Sequence, residues 1–209
     1  MKSRKVRRIG ISAVVALAIS GLISPSFAAT LQGFICDQRG AVNIQNGTSH
    51  DKKFLIPGIN KIAALTDAQA SGPVGINYVF DPPIPFRFID WYYKQANGSD
   101  ALRGITARYC VSLPDGSDLT SFDIRGGASD RGGPVGDGWS KVIQDTRVFP
   151  GVVLGGNAVI RKLTFIFKDK NNQGNITLGR VEINQAGVSP ILNTATGPCS
   201  LKEKCTNEI

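Results

Sequence analysis

The sequence predicts an all-β protein, an antiparallel β-sandwich or jelly roll with at most one short helix. Short segments in which apolar and polar residues alternate recur along the chain, and turn residues separate them. Glycine and proline occur 24 and 11 times, which is typical of a protein with many turns and few long helices. Hydrophobic residues make up 42% of the 209 residues and charged residues 19%, as in a chain that folds around a core.

The clearest predicted strand covers residues 105–113, where Tyr109 and Val111 share one face and Arg108 and Cys110 share the other. The segments 119–125 and 162–168 alternate in the same way. A partner strand that starts at Ile176 changes phase at Gly179, which predicts a β-bulge there. Further candidate strands are 31–36, 41–45, 53–56, 75–80, 86–94, 140–148 and 151–154.

One helix is predicted, over residues 59–70, because its apolar residues are loosely spaced as on one helix face. The last strand is expected to end near Ala186, and the residues that follow are mostly polar. The sequence therefore predicts a sandwich domain over 29–187 and a C-terminal tail over 188–209.

Residues 1–28 have the three parts of a secretory signal peptide: a basic start, an apolar stretch over 9–23 and small residues before Ala28. Cleavage after Ala28 would remove five cations and no acidic residue, so the net charge would fall from +8 to +3. A net charge of +3 does not indicate a nucleic-acid partner. The remaining chain has no apolar run long enough for a membrane span, and we expect a secreted, periplasmic or cell-envelope protein.

Four cysteines remain in the exported chain, which predicts two disulfides in an oxidising compartment. They are Cys36, Cys110, Cys199 and Cys205, and three pairings are possible. The favoured pairing joins Cys199 to Cys205 in a short loop and Cys36 to Cys110 between strands.

Several kinds of chemistry are excluded by the residues present. The chain has one histidine, His50, so it cannot form a site that needs two imidazoles, as most catalytic zinc centres do. It has no Gly-x-Ser-x-Gly motif, and the glycine-rich segment 126–133 lacks the Lys-Ser/Thr of a phosphate-binding loop. We expect no cofactor. A structural calcium ion is conceivable in the turn 169–175, but that turn offers one carboxylate.

Three segments in the second half of the chain occur in a familiar order. The first is Asp118-Leu119-Thr120-Ser121-Phe122-Asp123-Ile124-Arg125-Gly126, and the second is Gly138-Trp139-Ser140-Lys141-Val142-Ile143. The third is the pair of strand segments 159–167 and 174–183. Together they resemble the galactose-binding-like β-jelly rolls, a superfamily with many secreted carbohydrate-binding modules, over residues 85–185. The usual acidic pair of the last strand is absent here, which weakens any ligand or metal role for that corner.

A ligand-binding surface is predicted on the face of the sheet turned away from the core. If Tyr109 and Val111 point inward, Arg108 and the charged pair Asp123 and Arg125 point outward. Aromatic rings beside such charges fit the C–H faces and the hydroxyls of sugars. The alternative is that these rings pack in the core. The predicted ligand-binding residues are Trp91, Tyr93, Arg108, Asp123, Arg125 and Trp139.

Three functions follow from this prediction. The first is a secreted module without catalytic activity that binds an extracellular or cell-envelope carbohydrate. The second is a structural or adhesive envelope protein that binds another protein. The third is a small secreted carbohydrate-active enzyme, since the sixteen acidic residues allow a pair of catalytic carboxylates. Catalysis is thus open, although no positioned catalytic residue is predicted.

Overall fold

The computed structural model of the chain describes residues 26–35, 40–66, 74–95, 105–120, 132–145, 158–169 and 175–198. Within these ranges the chain forms twelve strands and one 3-10 helix, Ser49–Phe54. The strands are β1 (Phe27–Ile35), β2 (Ala41–Asn46), β3 (Lys61–Thr66), β4 (Val74–Pro85), β5 (Phe88–Gln95), β6 (Ile105–Ser112), β7 (Asp118–Thr120), β8 (Gly133–Gly136), β9 (Trp139–Asp145), β10 (Val159–Asp169), β11 (Ile176–Ile183) and β12 (Ala186–Pro198).

The strands form the two layers of a sandwich, which confirms the predicted all-β class. Layer A has the strand order β7-β6-β10-β4-β1-β12. Layer B continues from β12 through β11, β5 and β9 to β8, and β3 pairs with both β11 and β2. Among the described strand pairs, β1 with β12 is parallel and the others are antiparallel. Strand β12 joins the layers, because its start pairs with β11 and its remainder pairs with β1.

The core lies between the layers and is rich in aromatic rings. Trp91 of layer B sits at its centre, with ring centroids 5.4 Å from Phe165 and 6.0 Å from Phe167 of layer A. Tyr109 and Val111 are fully buried in the same core, as the alternation in β6 predicted. Interlocking rings of this kind contribute both burial and preferred edge-to-face contacts, so this cluster holds the two layers together.

The predicted bulge in β11 is present. Between Leu178 and Val181 the pairing with β5 shifts, so β11 has one more residue than β5 in that stretch. Gly179 has no room for a side chain, since an added Cβ would lie 2.4 Å from the Phe54 carbonyl oxygen and 2.7 Å from the Trp139 ring. A glycine at the bulge therefore allows the 3-10 helix and β9 to approach the strand closely.

Two secondary-structure predictions are wrong. The predicted helix over 59–70 is strand β3 in its described part, because Ala63 and Leu65 face the core while Ile62 packs on the opposite side of the layer. Apolar residues on both faces of a strand imitate helical spacing. The predicted strand over 53–56 is instead the end of the 3-10 helix and the turn after it, and Phe54 is buried there.

The last strand is longer than expected. Strand β12 continues to Pro198 in parallel pairing with β1, so residues 188–198 of the predicted tail form part of layer A. At the other end, β1 begins at Phe27 and pairs there with Val188. The predicted signal peptide up to residue 25, the predicted strand 151–154 and residues 199–209 lie outside the described residues.

Candidate functional site

The structure places Trp91 and Tyr93 in the core, which contradicts their predicted position on the outer surface. Both side chains are fully buried, because Ile89, Trp91 and Tyr93 form the inward phase of β5. The indole N–H of Trp91 donates a hydrogen bond to the hydroxyl of Tyr109 across the core. The two rings thus hold the layers together, as the alternative interpretation proposed.

Trp139 is also buried, but on the opposite side of layer B. It begins strand β9, and its ring stacks on Phe54 at 5.1 Å between centroids. Its indole N–H donates to Asp51 Oδ1 at 2.9 Å. The prediction of an exposed loop tryptophan is therefore wrong, because the 3-10 helix covers the ring.

The other predicted site residues do not join these rings. Arg108 is partly exposed on the outer face of layer A, directly opposite Ile166 of β10. Asp123 and Arg125 lie outside the described residues. The described members of the predicted site are therefore spread over the core, the outer side of layer B and the outer side of layer A.

A different group of outward residues comes together on layer B. Strand β5 turns every second side chain outward, and neighbouring β9 and β11 add charged residues beside them. We call this surface the charged face. Its members are Phe88, Asp90, Tyr92, Lys94, Lys141, Ile143, Arg180 and Glu182.

Two ion pairs order the centre of the charged face. Lys141 Nζ lies 2.9 Å from Asp90 Oδ2, and Arg180 Nε lies 2.5 Å from Glu182 Oε1. Asp90 and Glu182 are direct partners across β5 and β11, so the two cations offset the repulsion between neighbouring carboxylates. Burial lowers the pKa of Lys141, but the hydrogen bond and charge of Asp90 outweigh it and leave the pKa raised.

Tyr92 supplies a half-buried aromatic ring beside these pairs. Lys141 Nζ lies 5.4 Å from the ring centroid, in the range of a cation–π contact, and Phe54 lies at 5.5 Å between centroids. Phe88, on the same face of β5, is 47% exposed, and Ile143 of β9 is 37% exposed. The charged face therefore combines aromatic and apolar surface with fixed hydrogen-bonding groups.

Asp51 anchors the 3-10 helix at the edge of the charged face. Its Oδ2 accepts hydrogen bonds from the Thr48 backbone N–H at 2.7 Å and from the Thr48 hydroxyl at 2.8 Å, and its Oδ1 accepts from Trp139. Lys94 Nζ lies 3.7 Å from Oδ1. Burial raises the pKa of Asp51, but the hydrogen bonds from Thr48 and Trp139 and the charge of Lys94 together leave it lowered, so the buried carboxylate stays ionised.

Sequence reasoning missed the charged face because it chose the wrong phase of β5. The available signal was the polar residues Asp90 and Lys94, which alternate with Trp91 and Tyr93 and so mark the outward phase. Among the described residues no group of three or more His, Cys, Asp or Glu side chains is placed to hold a metal ion. Most of the turn 169–175, considered above for calcium, lies outside the described residues.

No family model and no curated protein sequence matches this chain. One similar solved structure is a family 11 carbohydrate-binding module from Clostridium thermocellum, in complex with a β-1,3-1,4-mixed-linked tetrasaccharide. It is 12% identical to this chain, with a TM-score of 0.44. The match covers 80% of this chain and 92% of the module.

Two further modules are similar at the same level. A carbohydrate-binding module of family 28, specific for non-crystalline cellulose, is 9% identical over 70% of this chain and 82% of its own, with a TM-score of 0.42. The CBM22-1 xylan-binding domain of Paenibacillus barcinonensis Xyn10C is 9% identical over 78% and 91%, with a TM-score of 0.40. In the described part of the chain, no helix is long and apolar enough to cross a membrane.

Proposed function

We propose that this protein is an exported, non-catalytic module that binds an extracellular or cell-envelope carbohydrate through the charged face. The observation that carries the proposal is the Tyr92 ring flanked by the pairs Asp90–Lys141 and Arg180–Glu182. Sugar C–H groups pack on aromatic rings, and sugar hydroxyls form strong hydrogen bonds with charged side chains. Export is supported by the signal-like composition of residues 1–28.

The spacing of the aromatic residues favours an extended oligosaccharide. Phe88 and Tyr92 are four residues apart on one face of β5, which corresponds to about 13 Å along a strand. This distance is larger than one sugar ring. A glycan chain lying along β5 would thus contact Phe88, the Asp90–Lys141 pair and Tyr92 in succession.

Binding to a panel of polysaccharides tests the proposal. The exported protein is incubated with insoluble cellulose, xylan, chitin and peptidoglycan and with a soluble oligosaccharide array. For a glycan that the wild type binds, we expect Tyr92→Ala to weaken affinity about tenfold or more, roughly 1.4 kcal/mol, because the stacking surface is lost. Tyr92→Phe keeps the ring and is expected to keep most of the affinity.

Ile191→Ala is the matched control, since Ile191 is 72% exposed on β12, away from the charged face. Wild-type protein that retains no glycan, or a Tyr92→Ala variant that binds every glycan as well as Ile191→Ala does, would contradict the proposal.

The same incubation separates the two other functions. Release of reducing ends from a bound glycan, abolished by Asp90→Asn, would indicate an enzyme that uses the neighbouring carboxylates Asp90 and Glu182. Binding to isolated envelope proteins that Phe88→Ala removes, with no glycan bound, would indicate a protein-binding surface built on the exposed Phe88 and Ile143.

A further inference from the structure

One cation of the charged face keeps its hydrogen-bonding capacity. Lys141 and Arg180 are each bound closely to a carboxylate, as described above. Lys94 differs, because its ammonium nitrogen lies 3.7 Å from Asp51 Oδ1, which is beyond hydrogen-bond distance. Its side chain is 40% exposed, and it has no other charged or hydrogen-bonding partner among the described residues. Lys94 can therefore donate to a bound molecule without breaking an existing hydrogen bond.

Asp51 does not depend on this ammonium group alone. Its two oxygens already accept three hydrogen bonds, two from Thr48 and one from the indole of Trp139. Such donors stabilise an ionised carboxylate in a buried position. Lys94 is thus held near Asp51 by a charge contact, and it can approach a second anion while the carboxylate keeps its other partners.

The surroundings fix the position of the Lys94 side chain. On one side is the turn between β8 and β9, where a Cβ added to Gly138 would lie 3.4 Å from Lys94 Cε. On the other side is the 3-10 helix, which carries Asp51. Lys94 follows Tyr92 by two residues on the outward face of β5, which corresponds to about 7 Å along the strand. The ammonium group is therefore positioned next to the half-buried aromatic ring.

The 3-10 helix adds two cations at this end of the charged face. Its buried residues contact Lys94 and Tyr92, so the helix borders both. Between these buried residues lie Lys52 and Lys53, which are exposed. Neither lysine has an ion-pair partner in the part of the chain that the structure describes. Their charges are therefore available to a ligand that lies along β5 and reaches the helix.

Charge is distributed unevenly along the charged face. The two ion pairs at its centre are neutral. At the Lys94 end there are three lysines and two carboxylates, Asp51 and Asp137, so with His50 uncharged the balance is 3 − 2 = +1. A neutral sugar gains no charge attraction at this end, whereas an anionic sugar is attracted to it.

We propose that the charged face binds a glycan that contains uronic acids, with Lys94 pairing with the sugar carboxylate and Lys52 and Lys53 supporting it. This inference rests on the carbohydrate-binding function proposed above for the same face. The carboxylate of a uronic acid extends outward from the sugar ring. A sugar stacked on Tyr92 can therefore place its carboxylate against the Lys94 ammonium group and accept a charge-assisted hydrogen bond.

A sugar carboxylate suits this position better than a phosphate does. A phosphate group would bring up to two negative charges beside the buried carboxylate of Asp51. Lys94 also offers a single point charge, whereas phosphate is recognised best by the fork of an arginine or by several donors together. One negative charge on a planar group matches one ammonium group.

Matched pairs of charged and neutral polysaccharides test the proposal. Polygalacturonate, alginate and hyaluronate are each compared with an alkyl ester, which keeps the sugar backbone and loses the carboxylate charge. For at least one pair we expect the wild type to bind the acid about tenfold or more tightly than the ester at low ionic strength, since salt screens exposed charges. In Lys94→Gln the affinity for the acid should fall to the affinity for the ester.

Lys162→Gln is the matched control, because it removes the same charge from β10, on the outer face of layer A. It should keep the preference for the acid, and so should Lys94→Arg, which retains a cation at the site. Tyr92→Ala should weaken binding of acid and ester by the same factor, since stacking on the ring does not require the carboxylate.

Lys52→Gln combined with Lys53→Gln is a second variant, which decides the question if Lys94→Gln lowers the urea midpoint. Both side chains are exposed, so we expect the fold to be kept and the preference for the acid to fall about threefold. An unchanged preference in this variant would overturn the proposal.

The remaining outcomes separate this inference from the function on which it rests. Equal binding of acid and ester by the wild type, a preference that survives in a folded Lys94→Gln, or an equal loss in Lys162→Gln would overturn the uronic-acid inference and leave carbohydrate binding in place. So would binding to cellulose, xylan or chitin without binding to any of the acids. Failure to bind any of these polysaccharides or the oligosaccharide array would contradict both proposals.

Discussion

Replacing Asp51 by alanine tests whether its carboxylate holds the 3-10 helix against β9. The change removes the acceptor of the Trp139 indole N–H and of two Thr48 donors. Trp139 is 1% exposed, so its N–H would be left unsatisfied at a cost of about 1–3 kcal/mol. Loss of the helix capping adds about 1 kcal/mol. We expect the free energy of unfolding to fall by about 2–4 kcal/mol in urea titrations followed by circular dichroism.

Asp137→Asn is the control, because Asp137 is 42% exposed in its side chain, pairs with the exposed His50 at 3.6 Å and has a φ of 55°, a backbone conformation that asparagine also adopts. We expect this change to cost less than about 0.5 kcal/mol. Equal urea midpoints for Asp51→Ala and the wild type would refute a stabilising role for these hydrogen bonds.

The same carboxylate makes stability depend on pH. The pKa of Asp51 in the folded chain is lower than its ordinary value of 3.8, so its contribution is fully present above that value and is lost as pH falls through the folded pKa. Asp51→Asn lacks this titration. The difference in unfolding free energy between wild type and Asp51→Asn should therefore shrink between about pH 5 and about pH 2, and a constant difference would contradict the ionised state.

Two further predictions concern the core. Trp91→Ala should destabilise the protein by about 3–5 kcal/mol in the same urea assay, because Trp91 contacts rings of both layers. Tyr92→Ala, which changes the outward neighbour of Trp91, should cost about 1 kcal/mol. If Tyr92→Ala cost more than Trp91→Ala, the assignment of inward and outward side chains in β5 would be wrong. Tyr78→Phe should stabilise the protein by about 1 kcal/mol, because the buried Tyr78 hydroxyl has no hydrogen-bond partner among the described residues. The same burial raises the pKa of Tyr78. A urea midpoint below that of the wild type would show that the hydroxyl does have a partner.

Strand β6 was located correctly from the sequence because it has one polar face. In β6 the polar residues Arg108 and Ser112 alternate with the core residues Tyr109 and Val111, and the period of two is visible without any structure. Strand β3 lacks this signal, because one of its faces contacts the main core and the other face contacts Phe54 and Trp139. Its residues are apolar on both sides, and the period cannot be recognised.

Contacts between distant parts of the chain could not be predicted from the sequence. The parallel pairing of β1 with β12 joins residues about 160 positions apart, and its register depends on packing that no local pattern encodes. The boundary predicted near residue 187 failed for this reason. Polar residues such as Asn193 resemble a tail, although the strand that contains them is held in the sheet by β1.

The bulge at Gly179 was predicted from the sequence, but the charged face that it helps to form was not. Leu178 and Val181 face the core. Between them β11 has two residues, Gly179 and Arg180, where β5 has one, and these two residues face the outer side of layer B. Gly179 takes the position beneath Trp139, and Arg180 reaches Glu182. Without the extra residue, the glycine that admits Trp139 and the cation that pairs with Glu182 could not both lie on that side. The phase change at Gly179 therefore allows the 3-10 helix to pack on layer B and also places Arg180, one of the five charged residues, on the charged face.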